Sequence, residues 1–300
     1  MWFVKKIQVR IIIMTVVFSV IFPGNLQYFP SFLRSLENQT NKDFMLILFN
    51  DGVVDVEKYL HDTSLLFESY DVSGVTPFEI RLIGLQKILS FGAEYVVFAD
   101  TDDLLSPERL DLSIKYLNKY PFVCNDISLM ASDETMIKES YWSKRISNCT
   151  EFDINYIKNY NIIGLGNSAM QCRLLPSMLE KLKGYKSGND WLFFSAAGKN
   201  LNAVFLSICT TSYRQHTDNL IGKKKVTAAT LLTLIKNKIE HYISLNKMNF
   251  REYQIEEQIK INQHILRQCN DNQKFLELQA EKINSLGINF FWWEESNYIN

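Results

Sequence analysis

The stretch VVFADTDDLL, residues 96–105, sets three carboxylates, Asp100, Asp102 and Asp103, within four positions directly after an apolar run. Like charges this close repel one another and are costly to desolvate. Water, a metal ion, or a lysine or arginine from elsewhere in the chain can compensate them. One or two carboxylates with substrate phosphates and waters are the usual way Mg²⁺ is held. A D-x-D at a strand end therefore fits divalent-cation and phosphate chemistry. The competing reading is a solvated loop, with Asp103 near the N-terminus of a helix expected over 106–118, where the helix dipole favours an acid. Asp51 in FNDG also ends an apolar run, where it either caps a turn or meets a ligand. Asp190 in SGNDWLFF precedes an apolar segment expected as a buried helix. It either caps that helix or, with apolar neighbours such as Trp191 raising its pKa, accepts a proton as a general base. Arg214 and His216 in YRQH are donors that suit phosphate, and the histidine also suits a metal shell.

These acids need rigid elements to hold them. The run IIIMTVVFSVIF, residues 11–22, follows Lys5 and Lys6. It is shorter than the roughly 20 apolar residues of a transmembrane helix, and its Ile and Val content favours a buried strand over 11–18. A signal or anchor segment is the alternative. A helix is expected from about 30 to 38, with Pro30 at its first turn, and a second buried strand over 44–51. TPFE then opens a helix with Thr76 as N-cap, Pro77 next and Glu79 completing a capping box. Its expected buried face is Phe78, Leu82, Leu85 and Leu89, and Gly92 is its stop. EYVVFAD, 94–100, is the strand that delivers the acidic cluster.

Strand–helix alternation of this kind implies an α/β fold with a mostly parallel, doubly wound sheet. In such sheets ligands bind outside the carboxyl ends of the strands, so Asp51 and the Asp100–Asp103 cluster are expected to share one crevice. The organisation expected is a ligand-binding half over 1–125, a second half over 126–222, and a C-terminal helical extension over 223–300. In that extension VTAATLLTLIKNKIEHYISL and 251–286 read as helices.

Composition narrows the function. A formal net charge of -1 argues against nucleic acid as a partner. Five scattered cysteines without a C-x-x-C pair, and only four histidines, fit reduced thiols in a cytoplasmic protein better than a disulfide framework or zinc site. The tail, with KKK at 223–225 and Phe290-Phe291-Trp292-Trp293, packs on the core or a second subunit, or else touches a membrane surface.

The order apolar strand, ILFNDGVVD, GAEYVVFADTDDLLSPERL, GNDW and YRQHTDNLIG resembles the family 2 glycosyltransferases over roughly residues 10–222. The resemblance implies the A-type glycosyltransferase fold, a nucleoside-diphosphate sugar as donor and Mn²⁺ or Mg²⁺ as cofactor. It assigns nucleobase binding to Asp51 and metal and diphosphate contacts to Asp100 and Asp102. Thr15 and Phe18 on the first strand and Arg81 join the nucleotide contacts. Asp190 becomes the general base, and Arg214 and His216, in a segment closed by Asn219, meet phosphate or acceptor. A single base implies inversion at the anomeric carbon. The acceptor expected is a glycan or a lipid-linked acceptor in bacterial-type cell-surface polysaccharide or glycan synthesis, at the inner face of the membrane if peripheral. The chain departs from the family pattern at Phe18-Ser19, where a Tyr-Asn or Phe-Asn pair is usual, at Val53 after Asp51-Gly52, and at Leu82 after Arg81. A catalytically silent nucleotide-sugar-binding scaffold and, more remotely, a haloacid-dehalogenase-type phosphatase compete with this reading.

Overall fold

The structure is a computed structural model that describes residues 14–157, 161–198, 201–216, 225–250 and 254–299. In chain order the first elements are β1 (Thr15–Ile21), α1 (Phe29–Glu37), β2 (Met45–Asp51), α2 (Val56–His61), β3 (Phe67–Val72), α3 (Pro77–Phe91) and β4 (Tyr95–Phe98). There follow β5 (Leu104–Leu105), α4 (Arg109–Leu117), β6 (Phe122–Ala131), β7 (Met136–Lys138), β8 (Thr150–Phe152), α5 (Ile154–Ile157) and β9 (Ser168–Gln171). Then come α6 (Leu175–Leu182), α7 (Asp190–Ala197) and β10 (Ala203–Gln215). Three helices, α8 (Ala228–Lys247), α9 (Ile255–Asp271) and α10 (Gln273–Ser285), form the C-terminal extension.

The strands join in one sheet of order β3-β2-β1-β4-β9-β6-β10-β5, with β7 beside β6 and β8 beside β10. From β3 to β4 every pairing is parallel. Beyond β4 the sheet turns mixed, because β9 lies antiparallel between β4 and β6. β1 is buried along its whole length, as a central parallel strand covered on both faces must be. Its side chains alternate between two cores. Val16, Phe18 and Val20 pack towards α3, α6 and α7, whereas Val17 and Ile21 pack towards α1 and α4.

Local signals explain much of this. The Thr76–Glu79 capping box forms on α3, and Gly92 takes the left-handed conformation that ends it. Phe78 and Leu85 are buried as expected, but Leu89 lies at the surface and Ile80 and Ile88 take the core positions. Two boundaries differ more. β1 runs on to Ile21, three residues past the expected end, while residues 11–13 lie outside the described residues. α4 begins only at Arg109, because Leu104-Leu105 pairs antiparallel with β10 as β5. The stretch 251–286 is divided at Asn272, whose side chain accepts the Phe275 N–H and caps α10. Positions 125 and 126 both lie inside β6, so the two halves of the core share one sheet.

The extension is clamped to the core by aromatics. Trp191 of α7 stacks on His241 of α8 with ring centroids 4.1 Å apart, and Trp293 lies 4.9 Å from Trp191. Arg145 holds Glu294 through both guanidinium ends and covers the Phe291 ring at 4.0 Å. Phe290, Phe291, Trp292 and Trp293 are all buried. The aromatic cluster expected as a possible membrane contact is thus inside the molecule, packed on the core. Among the described residues no helix is long and apolar enough to cross a membrane, and none of the five thiols is paired with another.

Candidate active site

β1 pairs β2 on one side and β4 on the other, both parallel, so the chain connections leave β1 in opposite directions. This is the switch point at which α/β sheets bind ligands. A cavity of about 870 Å³ opens there, lined by the loop after β1, the acidic loop after β4, the segments 163–167 and 187–190, and the extension.

The loop after β1 enters the cavity through Phe22, Gly24 and Asn25. Asn25 donates to Thr101 Oγ1 at 3.2 Å, and Thr101 in turn donates to the Val20 carbonyl at 3.0 Å. The two loops are therefore fixed to one another. Thr15 and Phe18, expected to contact nucleotide, are inside β1 and outside the cavity lining. Phe18 packs edge-on against Phe49 and Phe98. β1 runs further than expected, so the loop that enters the cavity is 22–25.

Asp100, Asp102 and Asp103 all line the cavity, yet differ in surroundings. The Gly166 N–H donates to Asp100, and a Cβ on Gly166 would stand 2.5 Å from Asp100 Oδ2. Only a glycine lets the backbone approach this closely. Burial pushes Asp100 up to about 7; the Arg81 cation opposes the shift, and Asp102 and Asp190 add to it. Burial, reinforced by Asp102 and Asp100, also holds Asp103 well above the carboxylate range, although Asp103 accepts the Arg214 N–H at 2.9 Å. Asp103 is not a helix cap: α4 starts beyond it, and its partner is the β10 backbone. Asp102 Oδ2 lies 2.9 Å from His216 Nε2, and the His216 ring rests on Tyr28 at 5.2 Å.

Arg214 differs from the sequence expectation. It is fully buried, and its side chain stays out of the cavity lining. Nε donates to the Asp102 carbonyl at 2.6 Å, Nη1 to the Ser132 carbonyl at 2.9 Å, and Nη2 pairs with Glu134 at 3.3 Å. Its guanidinium covers Tyr28 at 4.5 Å. The residue ties the acidic loop to β10 and the 132–134 turn. Asp51 ends β2 half-buried and outside the cavity lining, and Asn219 lies outside the described residues.

Asp190 and Arg81 meet across the cavity. Asn189 takes the N-cap position of α7 and Asp190 is its first helical residue. Asp190 Oδ1 pairs with Arg81 at 3.2 Å, and Oδ2 accepts the Leu165 N–H at 3.0 Å. Trp191 turns to His241, so the neighbours of the carboxylate are a cation and an amide rather than an indole. Sequence reasoning missed Asn25, Gly166 and the residues of α8 that line the cavity; Gly166 in GLGN was the one readable signal.

The three repelling carboxylates are thus met partly from within, by His216 on Asp102 and by Arg214 beneath the loop. Among the described residues no three His, Cys, Asp or Glu side chains form a ready metal cage. Asp100 and Asp102, two half-buried hard oxygen ligands on the cavity wall, fit a divalent cation that takes its remaining ligands from phosphate and water.

No family model matches the chain. An uncharacterized glycosyltransferase of Rickettsia bellii (strain RML369-C) is 26% identical over 106 residues, which is 34% of this chain and 15% of that protein. The chain therefore matches only a small part of the length of this curated relative. Among solved structures, S. aureus TarS 1-349 in complex with UDP-GlcNAc aligns with TM-score 0.58 and 16% identity, covering 95% of this chain and 81% of that one. S. aureus TarS aligns with TM-score 0.53 and 18% identity, over 91% and 48% of the two chains. The chain has the α/β fold seen in TarS, with a helical C-terminal region, and across 106 of its residues its sequence is similar to a glycosyltransferase.

Proposed function

We propose that the protein is an inverting glycosyltransferase that moves a sugar from a nucleoside-diphosphate donor to an acceptor hydroxyl. The observation that carries this reading is the convergence of Asp100, Asp102 and Asp190 on one cavity at the switch point of the sheet. The fold similarity to TarS in complex with UDP-GlcNAc supports a uridine nucleotide as donor carrier. The donor lies against the loop after β1 and the acidic loop. Asp102 and Asp100 would hold Mn²⁺ or Mg²⁺, and a bound cation of this kind neutralises the departing diphosphate. Asp190 is the general base. Arg81 and the Leu165 N–H hold its two oxygens, which orients the carboxylate towards the acceptor. Asp190 takes the acceptor hydroxyl proton as that oxygen bonds to the anomeric carbon and the bond to the diphosphate breaks. One displacement inverts the anomeric centre. Arg81 acts as a positioning residue, and His216 orients Asp102. A glycan acceptor, polysaccharide synthesis and a cytoplasmic location belong to the same proposal.

A thermal-shift screen of nucleotide sugars with Mn²⁺ or Mg²⁺ tests it. A metal-dependent rise in Tm with one nucleotide class is expected, together with loss of transfer and retained nucleotide binding in Asp190→Asn. Binding indifferent to metal would remove the cation, and undiminished turnover in Asp190→Asn would remove the base.

A further inference from the structure

The C-terminal extension contributes one wall of the cavity. Thr233, Asn237, Glu240 and Ser244 of α8 all line it. They recur every three or four residues and so share one helical face. The other face of α8 is apolar: Leu231, Ile235 and Ile239 pack into the core of the extension. A helix of this kind normally turns its polar face to bulk water. Here that face borders the cavity, with Thr233 and Glu240 exposed and Asn237 and Ser244 half-buried. Behind it sits His241, 2% exposed, lining the cavity between Trp191 and Trp293 with neither ring nitrogen hydrogen-bonded. Both nitrogens are buried from solvent, so the ring backs the polar face of α8 without presenting a donor or acceptor to the cavity.

Charge narrows the ligand. Of the acids that line the cavity among the described residues, Asp190 is paired with Arg81, Asp102 meets His216, and burial raises the pKa of Asp100 and Asp103, so the local charge on the α8 stripe is set by Glu240, beside which Asn237 and Ser244 are uncharged. Under the proposed function a cation on Asp100 and Asp102 meets the donor diphosphate, and an acceptor on α8 meets Glu240. Anionic ligands are repelled, while hydroxyl groups find amide, carboxylate and hydroxyl partners along α8.

We propose that α8 is the acceptor wall: its Asn237–Glu240–Ser244 stripe binds an uncharged, polyhydroxylated acceptor, a sugar residue, in the cavity that holds Asp190. The inference rests on the glycosyltransferase reading for the word acceptor, but its ligand chemistry is tested separately.

The experiment is saturation-transfer and chemical-shift titration of the full chain with neutral methyl glycosides of common hexoses and N-acetylhexosamines, set against methyl glucuronide and hexose phosphates. The neutral set is expected to bind and the acidic set to bind at least tenfold more weakly. Asn237→Ala is expected to weaken the neutral set about three- to tenfold, the loss of one hydrogen bond. Glu240→Lys is expected to narrow or reverse the discrimination against the acidic set. Thermal unfolding of both variants, at exposed or half-buried polar positions, reports that they are folded. A wild-type protein that binds no neutral glycoside, binds the acidic set equally well, or keeps its affinities in both folded variants overturns the proposal. Calorimetry with UDP and Mn²⁺ reads the glycosyltransferase proposal apart from this one: absence of UDP binding sinks that proposal, while the glycoside titrations decide the α8 wall by themselves.

Discussion

Arg214 separates a ligand contact from a girder. Replacing it with Met keeps most of the buried volume and the main-chain N–H that Asp103 accepts, but removes the guanidinium fork. Two carbonyl oxygens, those of Asp102 and Ser132, lose donors at 2.6 and 2.9 Å. Both acceptors are only part-buried, so each loss falls in the lower part of the about 1–3 kcal/mol for a buried group left without a partner, about 1–2 kcal/mol. The Glu134 side chain is 43% exposed, so water replaces much of that pair and it adds little. The sum is about 2–4 kcal/mol, since methionine recovers only packing. For a chain of this size 1 kcal/mol moves Tm by about 2 °C, so Arg214→Met should melt about 4–8 °C below wild type. Arg214→Lys should recover little, because an ammonium cannot span the fork. Scanning fluorimetry reads the melting, and calorimetry with UDP and Mn²⁺ reads the site. If Arg214→Met melts within 2 °C of wild type while UDP binding falls more than tenfold, Arg214 is a phosphate contact and the reasoning from burial is wrong.

Two further outcomes follow from the same geometry. Gly166→Ala drives a Cβ to 2.5 Å from Asp100 Oδ2, so the carboxylate must swing away. Mn²⁺-dependent UDP binding should weaken about tenfold or more, for a stability loss of about 1–3 kcal/mol, and unchanged binding by calorimetry would show that Asp100 plays no part in it. Lys238 of α8 is buried against Ser296 and Asn297, and burial lowers its pKa to about 7 against the pull of Glu295 and Glu294. Between pH 7 and its unfolded value the unfolded chain binds the extra proton, so folding stability gains up to about 1.4 kcal/mol per pH unit as pH rises. The window to measure is pH 7 to 8.5. His241, lowered to about 3 by burial, adds its gain only below neutral pH, and the buried thiols, pushed up to about 11 or beyond, act in the opposite direction only at higher pH. Urea midpoints should rise across that window in wild type more than in Lys238→Met; equal slopes would place the Lys238 ammonium in water.

Where a few neighbouring residues decide the structure, the sequence is readable. Thr76, Pro77 and Glu79 start α3 through bonds made within one turn, and Gly92 ends it because a left-handed residue is needed there. The alternation of β1 across two cores, and the arrival of Asp100 and Asp102 at the end of β4, follow from strand period and polarity. The end of β1 was not readable: the run stays apolar through Phe22, and only pairing with β2 as far as Ile21 decides where the loop begins. β5 escaped for a related reason, since two leucines before Ser-Pro carry no strand signal until β10 lies beside them.

Taken alone, the residues determined the α/β class, the acidic strand end and the candidacy of Asp190, because propensity, capping and charge act over a few positions. Tertiary structure alone decided the partners of those charges. Arg214 turns inward beneath the acidic loop, Arg81 meets Asp190 over more than a hundred residues of chain, and α8 closes the cavity with a polar face. Such choices depend on which distant groups share a desolvated space, where an unpaired charge costs several kcal/mol, and no local pattern encodes that proximity.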